Sequence, residues 1–210
     1  MEFKTLMESR RSVNFFDPAR PVSEDELKEM VRLAGLSPSS FNLQPWNLVV
    51  VRSPEAKARL RKRAWDQPKV TDAPVVLIVC GDREGYKEGN KTVEQVWESW
   101  VKNGYMKPEQ RGWFMDAIKG LYGADATRSL AFGAKNSAFF GMSLMLAAKE
   151  LGIDTHPMDG FDHDGVVEEF KIPPNFFVPM LIAVGHFDQT KTLLPRNWRK
   201  PYDEIVLATV

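Results

Sequence analysis

The stretch from Asp125 to Leu151 constrains this chain more than any other. It carries Ala131, Phe132, Ala134, Ala138, Phe139, Phe140, Met142, Leu144, Met145, Leu146 and Ala147. At 3.6 residues per turn these positions surround the axis and leave no polar face, so the helix must be buried, as a central helix or at a subunit interface. Gly133 and Gly141 fall near one face and predict a close helix crossing. Gly152 predicts the stop. A chain of 210 residues is long enough to bury such a helix. At this size folding removes about 70% of the extended surface and leaves about 10,000 Å² exposed.

Shorter elements flank it. Residues 3–11 place Phe3, Leu6 and Met7 on one helical face. Ser23 and Glu26 form a capping box, followed by Leu27, Met30, Val31 and Ala34 at helical spacing. Leu48 to Val51 predicts a strand. Ser53-Pro54 opens a helix running to about Ala64, with proline where its missing N–H is harmless. Val75 to Val79 predicts a central strand covered on both faces. A short strand is expected before His156, and a last strand at Phe177 to Val184, with Pro179 at an edge or bulge. Residues 83–124 predict two short helices, Thr92 to Asn103 and Pro108 to Leu121, with Trp97, Trp100, Tyr105, Trp113, Phe114 and Tyr122 broken by glycines. They make either a satellite core or a lid-like cover over a flat ligand, since aromatic faces stack on planar rings. The arm at 193–210 holds few apolar residues before Ile205-Val206-Leu207, which predict a short strand packed on another surface, a second subunit being one option. Strands and helices alternate irregularly, which predicts one α+β three-layer domain over 1–210 and not a doubly wound parallel sheet.

Charge and cysteine usage exclude several functions. Lys+Arg and Asp+Glu number 28 each, without the cationic excess that nucleic acid or an anionic membrane demands. The single cysteine, Cys80, ends an apolar run and reads as a buried thiol. Residues 1–11 lack the apolar stretch of a signal peptide, and no window of 18 residues is apolar, so a cytoplasmic protein without nucleic-acid or membrane partners is expected. No G-x-G-x-x-G or G-x-x-x-x-G-K-[ST] motif is present.

Four places could carry chemistry. Arg10-Arg11-Ser12, where the first helix stops, offers two guanidiniums and a hydroxyl to a phosphate, or is a solvated pair of cations at a helix C-terminus. Ser37 to Trp46 (SPSSFNLQPW) places hydroxyls, amides and stiffening prolines between a helix and a strand. It could hydrogen-bond the rim of a heterocycle or be a well-capped loop. In His156 to Asp162 the acidic residues suit helix capping better than any metal spacing, and Gly160 would let backbone approach a planar ligand. Arg196, Arg199 and Lys200 could join Arg10 and Arg11 in one anion pocket. His186, after the last strand, suits a surface or capping role. No Ser/His/Asp or Cys/His triad can be assembled.

Taken in order, Arg10-Arg11-Ser12-Val13, the S-P-S-S-x-N-x-Q-P-W element, Pro157-Met158-Asp159-Gly160-Phe161-Asp162 and Arg199-Lys200-Pro201 resemble the flavin-dependent nitroreductase family across essentially the whole chain. The resemblance implies an FMN-binding α+β homodimer with a central, mostly antiparallel sheet flanked by helices. Its subunits are intertwined, two active sites lie at the interface, and the C-terminal arm wraps the partner. On that analogy Arg10, Ser12 and Arg199 hold the FMN phosphate, while Arg11, Asn14, Arg196, Pro157 and Met158 complete the cofactor-binding set. Pro38, Ser39 and Ser40 come from the partner to line the ring, braced by Asn42. Gln67 and Lys69 face the pyrimidine edge, and Asp159 and Gly160 bring backbone N–H groups toward flavin N5 and O4. Phe41, Trp113 and Phe114 stand on the substrate side.

The implied chemistry is hydride transfer from NADH or NADPH to the flavin, then reduction of a nitroaromatic, quinone or similar conjugated acceptor in a ping-pong cycle. Flavin N5 carries the reaction, with no catalytic side chain and no metal. Lys69 would stabilise the negative charge of reduced flavin. Asn14 stands where many relatives carry Lys or Arg, and Asn197 where they often carry Lys, which leaves flavin potential and nicotinamide preference open. Enone or pteridine reduction, flavin fragmentation, or FMN carriage without turnover remain alternatives.

Overall fold

The computed structural model describes residues 2–210. In chain order the elements are α1 (Phe3–Ser9), α2 (Glu24–Ala34), β1 (Trp46–Val51), α3 (Pro54–Arg63), α4 (Lys69–Asp72), β2 (Val75–Asp82), α5 (Lys91–Lys102), α6 (Arg111–Tyr122), α7 (Ala126–Glu150), β3 (Asp154–Met158), α8 (His163–Glu169), β4 (Phe176–Gly185) and α9 (Tyr202–Ile205). Short 3₁₀ turns at Ser40–Asn42 and Pro108–Gln110 complete the set. The strands form one antiparallel sheet in the order β1-β2-β4-β3. The class is α+β.

Every residue of β2 is buried, because the sheet is covered on both faces. Alternation sends Val76, Ile78 and Cys80 toward Leu60 of α3, Val70 of α4 and Val166 of α8. It sends Val75, Leu77 and Val79 toward Met30 of α2 and Phe140 and Leu144 of α7. Each of the larger side chains contributes about 1.5–3 kcal/mol by leaving water. The capping box forms as expected, Ser23 Oγ accepting from the Glu26 N–H and Glu26 Oε2 from the Ser23 N–H. Burial pushes the Cys80 thiol up to about 12, so it is an inert core group.

Several expectations are corrected. The glycines of α7 meet the sheet and not another helix. A Cβ on Gly81 would come within 2.6 Å of the Gly133 carbonyl oxygen, and Gly141 lies over Met180 and Ile182. The outer stripe of α7 is open in the single chain, Phe139 being 47% exposed and Leu130 also facing out, which leaves the subunit-interface option standing. The bulge expected at Pro179 is present, however: the β2–β4 register slips between Val79 and Gly81, opposite Pro179 on the interior strand β4. His156 lies within β3 and not after it. His186 is buried, its Nδ1 3.2 Å from the Gly152 carbonyl just past α7. The arm ends in the helical turn α9 and not in a strand. Its Leu194, Trp198, Tyr202, Ile205 and Leu207 are exposed. The accessible surface of 12311 Å² accordingly exceeds the roughly 10,000 Å² expected of a closed chain of this mass.

Candidate active site

Residues from both ends of the chain meet in one cavity of about 620 Å³, walled by Arg10–Ser12, Asn14, Phe15, His156 and the arm from Thr192 to Asn197 with Arg199. The N-terminal wall is held by backbone. Val13 N donates to Thr155 O of β3 at 3.2 Å, and Ser12 bridges Thr155 in parallel. The buried Val13 side chain anchors the segment. The C-terminal wall is tied by two arginines. Arg11 Nη2 donates to Leu194 O at 2.7 Å, and Arg196 Nη2 donates to Glu8 O at 2.6 Å and Arg10 O at 3.0 Å. Arg199 Nη1 donates to Asn197 O and Trp198 O within the arm.

Among the described residues, no carboxylate lines this cavity. Arg10 feels the consequence: burial lowers its pKa first, and repulsion from Arg196, Arg199 and Arg11 lowers it further. Its Nε is buried without a hydrogen-bond partner. Such a donor among like charges is costly unless an anion joins it. Arg forks suit a phosphate, which accepts two parallel N–H bonds.

A polar strip leads away from the cavity. His156 Nδ1 lies 2.9 Å from Val13 O, and its Nε2 lies 3.3 Å from Lys69 Nζ. Lys69 Nζ also donates to Gln67 Oε1 at 3.2 Å, and Gln67 Nε2 donates to Gly160 O at 2.7 Å. Burial, then the Lys69 charge, lowers the His156 pKa to about 4, so the ring is neutral at pH 7. Burial also lowers the Lys69 pKa. Trp65 covers the far end of the strip. Its exposed indole lies 3.0 Å from where a Gly160 Cβ would stand, so the missing side chain there admits an indole of this chain. Trp65 and Asp66 hold left-handed backbone at φ 50° and 55°, a strained turn for side-chain-bearing residues.

The structure therefore gathers Arg10, Arg11, Ser12, Asn14, Arg196 and Arg199 in one place. It links Gln67, Lys69 and Gly160 in a strip that reaches the cavity through His156. Pro157 and Met158 continue β3 beyond His156, with Asp159 exposed after them. Pro38, Ser39, Ser40, Phe41 and Asn42 do not line the cavity. Their loop is pinned to α7, where the buried Asn136 Oδ1 accepts from Ser40 N at 3.0 Å. Phe41, at φ 51°, packs on Trp100, Phe114 and Tyr122. Phe114 is wholly buried in the satellite core under α5 and α6 in this single chain, whereas Trp113 is 57% exposed. Sequence reasoning named His156 only as the start of a turn, missed its contact with Lys69, and did not single out Trp65. The sequence carries no signal for either, because β3 puts His156 beside Lys69, 87 residues away.

The family model described as "Nitroreductase family" matches residues 7–186. The chain is 33% identical over 208 residues to MhqN of Bacillus subtilis (strain 168), which carries an NAD(P)H nitroreductase name, covering 98% of each. It is 30% identical over 184 residues to the CLA biosynthesis enone reductase of Lactiplantibacillus plantarum, covering 86% of this chain and 83% of that protein. A solved structure from Exiguobacterium sibiricum 255-15, in complex with FMN, superposes with a TM-score of 0.85 at 28% identity, covering 100% of this chain and 98% of that one.

Proposed function

The chain belongs to the nitroreductase family, and on that premise we propose that the arginine cavity holds the phosphate of FMN while the strip from Lys69 to Gly160 runs along its ring. The protein is an NAD(P)H-dependent flavin oxidoreductase. One observation carries the placement: Arg10, Arg11, Arg196 and Arg199 converge on one cavity with no carboxylate among its described lining residues. The residues fit the cofactor. Arg10 and Arg199 supply charge, Ser12 a hydroxyl, and Lys69 a cation one imidazole away.

Bound flavin supplies hydride acceptance from NAD(P)H and two-electron delivery to an acceptor. The chain's own residues orient and charge the site. Arg11 and Arg196 fasten the arm to the N-terminal segment, so the phosphate contacts of Arg10 and Arg199 depend on that closure. Lys69 would supply positive charge to a bound flavin, favouring its anionic reduced form, and Gln67 fixes the Gly160 peptide by its carbonyl. No side chain of the strip is needed as an acid or base, and neutral His156 fits that division of labour.

The site reads as completed by a second copy of the chain, in an intertwined homodimer. Pro38, Ser39 and Ser40 lie outside this chain's cavity, and the exposed apolar arm and the outer stripe of α7 provide surface for a partner. Trp113, exposed on α6, remains the acceptor-side aromatic. The acceptor is a nitroaromatic, quinone or related conjugated molecule taken in ping-pong alternation with NAD(P)H, in a cytoplasmic setting. Enone reduction stands as the second reading, favoured by the similarity to the Lactiplantibacillus protein. A visible spectrum of the purified protein with added FMN, then anaerobic mixing with NADH or NADPH, tests the proposal. Flavin absorbance that bleaches supports it, and a protein that takes up no flavin refutes it. A panel of nitroaromatic, quinone and enone acceptors separates the two readings.

A further inference from the structure

The hydrogen-bond strip has a hinge that the proposed function does not by itself require, and it is His156. Its Nδ1 faces the Val13 carbonyl at 2.9 Å. A carbonyl only accepts, so Nδ1 carries the proton and Nε2 presents a lone pair. Lys69 Nζ stands 3.3 Å from that lone pair. An ammonium only donates, so the pair is a hydrogen bond solely with the imidazole neutral and in this tautomer. The charged groups around it all favour that state: Lys69 from α4, and Arg10, Arg11, Arg196 and Arg199 around the cavity, with no carboxylate among the described lining residues.

Lys69 is otherwise held by a single partner, Gln67 Oε1. A lysine on a flexible four-carbon stem keeps a fixed position only where acceptors define it. Two acceptors on different elements, Gln67 ahead of α4 and His156 on β3, triangulate the ammonium between Gly160 and the cationic cavity. Coulomb attraction falls with distance and rises where water is scarce, so the place of that charge decides how strongly it favours an anion over a neutral form. Asn14, also at the cavity, contributes no charge.

We infer that His156 is a positioning residue that fixes the Lys69 ammonium and, through it, sets how strongly the site prefers reduced over oxidised flavin. The inference rests on the flavin reading above. It assigns His156, which also lines the arginine cavity, no proton transfer and no part in the reaction itself.

The test uses the full-length protein loaded with FMN and measures the midpoint potential of the bound flavin by dye equilibration. His156→Leu, which keeps apolar volume and removes both nitrogens, lowers the preference for reduced flavin about tenfold, close to 30 mV for a two-electron couple. His156→Gln, whose amide can donate toward Val13 O and accept from Lys69, restores most of that loss. In a Lys69→Met background, His156→Leu has no further effect. An unchanged potential in His156→Leu, or an equal fall in the Lys69→Met background, overturns the inference while leaving the flavin reading intact. Wild-type protein that binds no FMN defeats the flavin reading and the inference with it. Imidazole ¹H–¹⁵N spectra of the flavin-free protein provide an independent check. A neutral His156 protonated at Nδ1 at pH 7 supports the inference, and an Nε2–H tautomer overturns it.

Discussion

Replacing Arg10 by alanine separates a built phosphate site from an incidental cluster of arginines. Arg11 and Arg196 already donate to the carbonyls of Leu194, Glu8 and Arg10, so their forks are engaged in holding the arm. Arg10 Nε is buried and has no partner. Arg10 is therefore the guanidinium whose hydrogen bonding is least satisfied by the protein alone. One charge-assisted hydrogen bond contributes about 1.5–3 kcal/mol, and tenfold in affinity is about 1.4 kcal/mol. Arg10→Ala accordingly weakens FMN binding roughly 10- to 150-fold. Arg10 is also repelled by Arg196, Arg199 and Arg11. The flavin-free variant therefore loses no thermal stability through its charge, and its melting temperature stays level or rises. Quenching of FMN fluorescence on titration gives Kd, and calorimetry of the flavin-free protein gives Tm. Arg10→Lys, which keeps the charge without the fork, falls between wild type and alanine. An unchanged Kd in Arg10→Ala, or weaker binding accompanied by a lower Tm of the flavin-free protein, refutes the reasoning.

Other consequences follow from the packing and the titrations. Gly81→Ala pushes a methyl against the Gly133 backbone and Ser137 Oγ, and overpacking lowers unfolding free energy in urea by about 1–3 kcal/mol. Asn136→Ala strands the Ser40 N–H in a partly buried place, destabilising by about 1–3 kcal/mol and loosening the Ser39–Ser40 loop, readable as faster amide exchange there. The His156 pKa is about 4 folded and near 6.5 unfolded, so between those values the unfolded chain binds more protons. Stability from this group is complete above about 6.5 and declines as pH falls toward 4, whereas His156→Gln flattens that part of the stability–pH curve.

Local patterns carried most of the fold. The capping box at Ser23, the proline start at Pro54 and the apolar run of β2 each depend on neighbours in sequence, and each formed where its pattern placed it. The fate of α7 was only half legible. Apolar residues all round it say that every face avoids water, but not whether sheet, helix or second chain covers each face. The inner face took the sheet, and Phe139 was left outside. The meeting of Arg10, Arg11, Arg196 and Arg199 in one cavity was legible as one of two readings, the other being solvated cations. The strip was not, since β3 fixes Lys69 against His156 only once its pairing with β4 is set. The setting of Phe114 was not legible, because an aromatic on a glycine-bounded helix reads alike as a gate or as core; in this chain Trp97, Trp100 and Phe41 close round it.

The claim that a flavin lies between arginines of one chain and the Pro38–Ser40 loop of another is tested most directly by mixing subunits. Arg10→Glu alone removes the phosphate contact, and Pro38→Trp alone blocks the ring side at an exposed position. A site drawn from two chains is intact once in every mixed dimer, because one combination pairs a native Arg10 with a native loop. Co-expression of the two variants with separate tags, purification through both, and titration with FMN should return binding that neither variant shows alone. If the mixed species binds no more FMN than its parents, the site does not cross the subunit boundary and the account is contradicted.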